Sequence, residues 1–192
     1  MGSLSQYLSV SHKNISVADL SPSEEQELID QIKAFGAFQD YDMAVLSDSA
    51  LVSNDDTAFI LAVVSLSKDM KAVKTLQYSY TVVTQELLGL AQLRFNSGRI
   101  LIRPETLHDK LIEIFVHAEV DDEMFPLFSK KYYMLMDQPD RKLPSSILSV
   151  IEKYDGLQIE IMEHQLMVSQ MISYSEEHIN TLLKFLSELG RG

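Results

Sequence analysis

The sequence predicts an α+β domain in which a mostly antiparallel sheet packs against about four amphipathic helices. Segments with the two-residue period of strands and segments with the helical period alternate irregularly along the 192 residues. Several connections between them are too short for the crossover that parallel neighbours need, which favours antiparallel pairing. The almost uninterrupted apolar segment Phe59–Val64 indicates a central strand that is covered on both faces.

The organising segment spans residues 99–115, where a strand pattern changes directly into a helix pattern. Ile100 and Ile102 alternate with their neighbours, as in a strand with one buried face. Pro104 lacks an N–H group and has a helical φ, so it suits the first position of the following helix. Opposite that helix's apolar stripe runs a ridge of carboxylates, which we expect to face water rather than to bind a cation. The ridge consists of Glu105, Asp109 and Glu113.

Three further helices have recognisable starts and apolar stripes. Ser21, Pro22 and Glu24 combine an N-cap, a first-position proline and a capping-box glutamate. A later helix begins near Pro144, and the last helix follows Ser175 as its N-cap. Apolar residues at helical spacing give each helix one inward face. These stripes are Leu28, Ile29, Ile32 and Phe35 for the first, Ile147, Leu148, Ile151 and Tyr154 for the second, and Ile179, Leu182, Leu183, Leu186 and Leu189 for the last.

The chain between the first helix and the organising segment has the composition of strands. Met43–Leu46, Phe59–Leu66 and Gln77–Leu88 are rich in β-branched and aromatic residues. Ser53–Asp56 and Ser67–Asp69 carry residues typical of turns, so we predict that the chain reverses at both places.

A hairpin is predicted near the C-terminal end of the chain. Leu157–Met162 and Gln165–Ser173 have strand composition, and Glu163 with His164 forms a two-residue loop between them. In that register two apolar pairs fall on the same face of the hairpin, so the arrangement is self-consistent. The pairs are Ile161 with Leu166 and Ile159 with Val168.

Length and periodicity favour one folded unit. Residues 21–192 are predicted to form a single α+β domain, or two sub-lobes that meet near residues 99–125. Residues 1–20 show little periodicity, so we expect them to be loosely ordered.

Charge and cysteine content exclude several classes of protein. The chain carries a net charge of −12, whereas nucleic-acid binding depends on Lys and Arg that neutralise phosphates. We therefore expect no nucleic-acid partner and no attraction to an anionic membrane surface. The longest apolar run, Ala58–Val64, is far shorter than the roughly 20 residues of a membrane-spanning helix. Without cysteine or a signal-peptide pattern, we expect a cytoplasmic protein.

The sequence carries no recognisable catalytic motif. It lacks the glycine-rich phosphate loops, the nucleophile elbow and the H-E-x-x-H zinc pattern. Glu105 and His108 have the spacing of carboxylate-bridged metal helices, but no second such pair is present. We therefore predict no catalytic, cofactor-binding or metal-binding residues, no cofactor, and structural or solvent roles for the histidines. They are His12, His108, His117, His164 and His178.

Three short segments together resemble an uncharacterised bacterial family of α+β domains. They are Thr81-Val82-Val83 in a strand, Ile102-Arg103-Pro104-Glu105 between a strand and a helix, and Phe128-Ser129-Lys130-Lys131-Tyr132 before a later strand. The resemblance covers roughly residues 40–190 and implies an α+β fold. That family often accompanies membrane segments and has no assigned activity, so no catalytic residue is carried over from it.

Two hypotheses for function remain. The first is a non-enzymatic protein-interaction module that binds a protein partner or itself through its sheet or a helix face, which the nine methionines and the acidity favour. Core packing is the simpler explanation for those methionines, among them Met134, Met136, Met162, Met167 and Met171. The alternative is a small-ligand-binding protein or an enzyme. Its site would lie near Arg99, Arg103 and neighbouring histidines, where two arginines share a strand face and could bind a carboxylate or phosphate.

Overall fold

The structure of the chain is a computed structural model. It describes six segments of the polypeptide. They are residues 3–54, 57–71, 79–104, 127–138, 142–170 and 175–190.

Eight strands in these segments form one antiparallel sheet, which confirms the predicted fold class. Their order across the sheet is β1-β2-β3-β4-β8-β7-β5-β6. The strands are β1 Ser16–Ala18, β2 Met43–Ser53, β3 Ala58–Lys71, β4 Ser79–Gln92, β5 Arg99–Pro104, β6 Tyr132–Met136, β7 Leu157–Met162 and β8 Gln165–Gln170.

Five helices accompany the sheet in the described segments, and a short 3-10 turn, Gly36–Phe38, follows the second of them. The helices are α1 Leu4–Ser11, α2 Pro22–Ala34, α3 Phe128–Lys131, α4 Ser145–Ile151 and α5 Glu176–Leu189.

The central strand β3 buries both of its faces, as its composition predicts. Leu61 and Val63 pack into a core shared with α1, α4 and α5, and we call this side of the sheet the α5 face. Ala62 and Val64 pack into a second core with α2 and the 3-10 turn, and we call this side the α2 face. Because successive strand residues point to opposite sides, one apolar strand supplies both cores.

The two longest helices begin as the sequence predicts. Ser21 and Glu24 form a capping box at the start of α2. Ser175 accepts the His178 N–H at the start of α5. All five residues of the predicted α5 stripe are buried, and Phe185 is fully buried beside them. An amphipathic stripe therefore seats α5 on the sheet.

The chain start is ordered where the sequence favours loose order. Residues 4–11 form α1 and residues 16–18 form β1, which pairs with the end of β2. Leu4 and Leu8 are fully buried in the α5-face core, and the Leu4 N–H donates to the Asp48 carboxylate at 2.6 Å. These tertiary contacts order a segment whose own periodicity is too weak to predict it.

The predicted reversal at Ser67–Asp69 is wrong. These residues lie inside β3, which continues to Lys71 and pairs with β4 from Phe59 to Lys71. The turn residues are accommodated because Thr81 donates its hydroxyl to the Asp69 carboxylate at 2.7 Å across the strand pair. The predicted strands over Met43–Leu46 and Gln77–Leu88 likewise become parts of longer elements, and residues 72–78 lie outside the described segments.

The C-terminal hairpin has the predicted register. Ile161 pairs with Leu166 and Ile159 with Val168, and Glu163 adopts a φ of +57° in the two-residue loop. The organising segment begins with a strand, as predicted. Pro104, which was predicted to be the first helical residue, is instead the last residue of β5 and pairs with Tyr132. The predicted helix after Pro104 and its carboxylate ridge lie outside the described residues.

Candidate functional site

A buried carboxylate joins the sheet to the turn after α2. Ile159 and Ile161 of β7 point into the α5-face core, so Glu160 between them points to the α2 face. Its oxygens accept the N–H groups of Gly36 at 2.8 Å and Ala37 at 3.1 Å. The first residues of the 3-10 turn therefore have acceptors, and the carboxylate is held in one orientation.

Arg99 of β5 lies beside this carboxylate. Its Nε is 3.5 Å from Glu160 Oε1, and an Nη2 hydrogen donates to the Ala34 carbonyl at 3.4 Å. The Arg99 side chain is 47% exposed, whereas the Glu160 side chain is only 5% exposed. The first role of Arg99 is therefore to balance the charge of a buried carboxylate, which is costly to bury alone.

An open cavity of about 450 Å³ adjoins the pair on the α2 face, and we call it the Arg99 cavity. Glu160, Leu101 and Leu135 form one row across β7, β5 and β6, and this row supplies its floor. The 3-10 turn supplies one wall. The other lining residues are Gln39, Arg99, Met136, Asp137 and Gln158.

Asp137 places a second carboxylate in this cavity. It follows β6 directly, and its N–H donates to the Arg99 carbonyl at 3.1 Å. Its Oδ1 accepts the Arg99 backbone N–H, also at 3.1 Å. The side chains of Arg99 and Asp137 are therefore neighbours in one cavity, and the cavity combines a cation, two anions and two leucines.

Arg103 shares a strand face with Arg99, as the sequence predicts, but it does not line the cavity. It pairs with Tyr133 across β5 and β6, and its guanidinium carbon lies 5.6 Å from the centre of the Tyr133 ring. This distance is typical of a cation–π contact. The two arginines therefore have different surroundings.

The described histidines do not join the arginines. His12 Nε2 lies 3.0 Å from Asn180 Oδ1, and His178 is buried at the start of α5. His164 lies in the β7–β8 loop, where its carbonyl accepts the Leu93 N–H at 2.6 Å. None of these three lines the Arg99 cavity. His108 and His117 lie outside the described residues.

The described segments contain neither a cluster of metal ligands nor a membrane-spanning helix. No three or more His, Asp or Glu side chains there are grouped as metal ligands would be. No helix there is long and apolar enough to cross a membrane.

Four of the five methionines singled out above pack in or against the two cores. Met167 is buried, and Met162 packs beside it on the α2 face. Met134 and Met136 pack against the α5-face core. Met171 lies outside the described residues. These methionines therefore serve packing, as expected.

A second surface lies on the α5 face at the end of the sheet where β2 and β4 begin. Met43, Val45 and Val83 are 58%, 47% and 64% exposed there. Met43 and Val83 both pair with Ser67 of β3, from opposite sides, and Val45 pairs with Ser65. Directly paired residues share a face, so the three side chains form one apolar patch, which we call the distal patch.

Hydroxyl groups and the Asp69 carboxylate adjoin the distal patch. The Ser47 and Ser65 hydroxyls lie 2.6 Å apart, and Thr81 binds Asp69. The sequence indicates strands here but not the exposure of Val83. That exposure depends on which part of the sheet the rest of the chain covers, and no single strand's pattern contains this information.

No family model, no curated protein and no solved structure matches this chain. The resemblance to a bacterial α+β family remains a prediction.

Proposed function

We propose that this protein is a non-enzymatic interaction module whose distal patch binds a basic polypeptide through apolar side chains. The observation that carries the proposal is the exposure of Met43, Val45 and Val83 as neighbours on one sheet face. Isolated exposed apolar side chains are normal on a protein surface, whereas contiguous ones mark interaction sites.

Four uncharged polar positions adjoin the patch. Ser65, Ser67, Thr81 and Gln85 share its face, together with the charged Asp69. A partner that covers the three apolar side chains therefore need not strip water from a charge at these four positions, which would be costly.

Charge decides what kind of partner fits. The chain carries −12, so a polypeptide of net positive charge is attracted over a distance of roughly a Debye length, about 8–10 Å. A second copy carries the same −12 and is repelled. We therefore assign the distal patch to a basic partner rather than to self-association.

Site-specific photo-cross-linking in cells that make the protein tests this assignment. A benzoylphenylalanine placed at position 83 or 43 should give the same discrete adduct with a basic polypeptide. Val10 is the matched control, because it is 75% exposed and apolar but lies on α1 and not on the three strands that carry the patch. Equal adducts at position 10, no adduct at 83 and 43, or an adduct with a second copy would each overturn the proposal.

The partner identified by cross-linking can then be purified, and its affinity for variants of Val83 tests the roles of apolar contact and charge. Val83→Asp and Val83→Lys should both weaken binding, because each places a charge in the apolar contact. Val83→Lys should weaken it further, by about tenfold, because its charge repels a basic partner. Neither variant should alter the urea midpoint, since Val83 is exposed. Equal affinities for the two variants would contradict the charge argument.

A further inference from the structure

We propose that the Arg99 cavity is a binding site for a free α-amino acid with an apolar side chain. This inference is independent of the distal patch, which lies on the opposite face of the sheet. It rests on four properties of the cavity: its volume, an arginine with N–H donors that are not yet used, a neighbouring carboxylate and an apolar floor.

The volume suits a small molecule. The cavity measures about 450 Å³, within the roughly 300–1,000 Å³ typical of ligand pockets. It is open to solvent on one side, and the 3-10 turn and three strands form the remainder of its wall.

Arg99 offers a preorganised donor for a carboxylate. A guanidinium has five N–H donors in a planar fork. One faces Glu160 and another binds the Ala34 carbonyl, which fixes the plane of the group. Three N–H groups remain on a side chain that is 47% exposed and lines the cavity. Such a fork binds a carboxylate through two parallel hydrogen bonds.

The lining charges argue against a simple anion. Glu160 and Asp137 are both negative, and Arg99 is the single cation among the lining residues. The Glu160 oxygens are already occupied by the turn N–H groups. Asp137 uses Oδ1 for the Arg99 backbone, and its Oδ2 accepts no hydrogen bond from a described residue. A ligand with an ammonium group beside its carboxylate satisfies both Arg99 and Asp137.

The apolar floor of the Arg99 cavity favours a ligand with an apolar side chain. Leu101 and Leu135 lie side by side in paired positions of β5 and β6, and Leu135 is 36% exposed. An aliphatic or aromatic side chain covers this floor, while the amides of Gln39 and Gln158 line the cavity as further hydrogen-bonding groups. The combined chemistry is that of leucine, methionine or phenylalanine.

Calorimetry of the full chain with four probes tests the assignment. L-Leucine carries all three groups, 4-methylpentanoate lacks the ammonium, 3-methylbutylamine lacks the carboxylate, and glycine lacks the side chain. We expect L-leucine to bind and each of the other three probes to bind at least about tenfold more weakly. Each of those probes leaves one part of the cavity, the arginine, the carboxylate or the apolar floor, without a partner group. L-Methionine and L-phenylalanine extend the series.

Three variants separate the roles of the residues. Asp137→Asn should weaken the binding of L-leucine by about tenfold. The affinity for 4-methylpentanoate should stay unchanged or increase, because only the ammonium group of leucine uses the Asp137 carboxylate. Arg99→Lys should weaken both, since it keeps the charge beside Glu160 but loses the fork. Glu163→Gln, in the exposed β7–β8 loop, is the control and should change neither.

The outcomes that overturn the assignment are specific. One is absence of heat for leucine, methionine and phenylalanine up to about 10 mM, above the millimolar affinity of weak ligands. Another is equal binding of leucine and 4-methylpentanoate. A third is leucine binding that is indifferent to Asp137→Asn. Since none of these readouts involves the distal patch, they leave the proposed protein partner untouched.

Discussion

The Glu160 carboxylate and the Gly36 N–H are joined by a hydrogen bond of 2.8 Å between strand β7 and the turn after α2. The two residues lie 124 positions apart in the sequence. Glu160 also binds the Ala37 N–H and faces Arg99. One buried side chain therefore anchors the end of α2 to the sheet and fixes one wall of the Arg99 cavity.

Glu160→Gln should destabilise the fold by about 2–4 kcal/mol. The amide keeps one acceptor but turns an NH₂ group toward a backbone N–H, and it removes the charge of Glu160 from beside Arg99. Urea unfolding followed by circular dichroism measures the change. Glu163→Gln is the matched control because Glu163 is exposed in the neighbouring loop. A loss below about 0.5 kcal/mol, the range of neutral surface substitutions, would contradict this account.

Gly89→Ala should destabilise the protein by about 1–3 kcal/mol through overpacking. A methyl group at position 89 would lie 2.5 Å from Leu186 Cδ1 and 3.0 Å from Val168 Cγ1. Both neighbours are buried between α5 and the sheet, so neither can move into solvent.

A double-mutant cycle with Leu186→Ala, in which the free energy of unfolding is measured, checks why Gly89→Ala destabilises the protein. Leu186→Ala alone removes core volume and should cost about 2–5 kcal/mol. It also makes room beside position 89, so the added methyl group should cost little or nothing in that background. If the two losses instead add within about 0.5 kcal/mol, the contact with Leu186 is not the reason.

The register of the last hairpin was predictable because its information is local. The short Glu163–His164 loop and the alternation of Ile159 and Ile161 allow one pairing that keeps the apolar residues together. The Ser21–Glu24 capping box and the α5 stripe are local in the same sense. In each case a few neighbouring residues were sufficient to predict the local structure.

Only one side of the Arg99 cavity could be predicted from the sequence. The strand pattern shows that Arg99 and Arg103 share a face, but the partner that engages Arg99 lies 61 positions later. Glu160 stands between two isoleucines, a pattern typical of the solvated side of a strand, so its burial was not predictable from the strand alone. The available signal was the glycine two residues after the end of α2, because Gly36 permits the close approach of the carboxylate.

Two tyrosines should ionise late in the alkaline range. Burial raises the pKa of Tyr132 to about 12, and the nearby Asp155 charge adds to this. Burial and a hydrogen bond to Glu188 likewise raise the pKa of Tyr154 to about 12. In both cases the folded state prefers the neutral phenol. The stabilisation is therefore complete below the unfolded pKa of 10.0 and is lost as the pH rises toward 12.

Ultraviolet titration of tyrosinate measures this effect. Tyr132→Phe and Tyr154→Phe should each remove one phenol from the phase near pH 12, out of the eight tyrosines in the chain. Unfolding of the wild-type protein should require less urea as the pH passes from 10 to 12, with a smaller change in the double variant. A phase near pH 12 that keeps its amplitude in both single variants would refute the assignment.

Glu86→Gln and Glu24→Gln should change stability in opposite directions at neutral pH. Glu86 pairs with Val64 on the α2 face, and desolvation there raises its pKa above 4.5. Its protonated form is favoured by folding below pH 4.5, and that advantage is lost as the pH rises through the folded-state pKa. At pH 7 the buried charge opposes folding, so Glu86→Gln should raise the urea midpoint.

Glu24 has the reverse sign because the Ser21 hydroxyl and backbone N–H both donate to its carboxylate, at 2.6 and 2.8 Å. These bonds lower the pKa of Glu24 below 4.5, so its contribution is present above that value and is lost as the pH falls. Glu24→Gln should therefore lower the urea midpoint at pH 7. Both differences should shrink toward zero in strongly acidic solution, where the carboxylates are protonated. Two shifts of the same sign at pH 7 would show that the environments of these carboxyl groups are not those described.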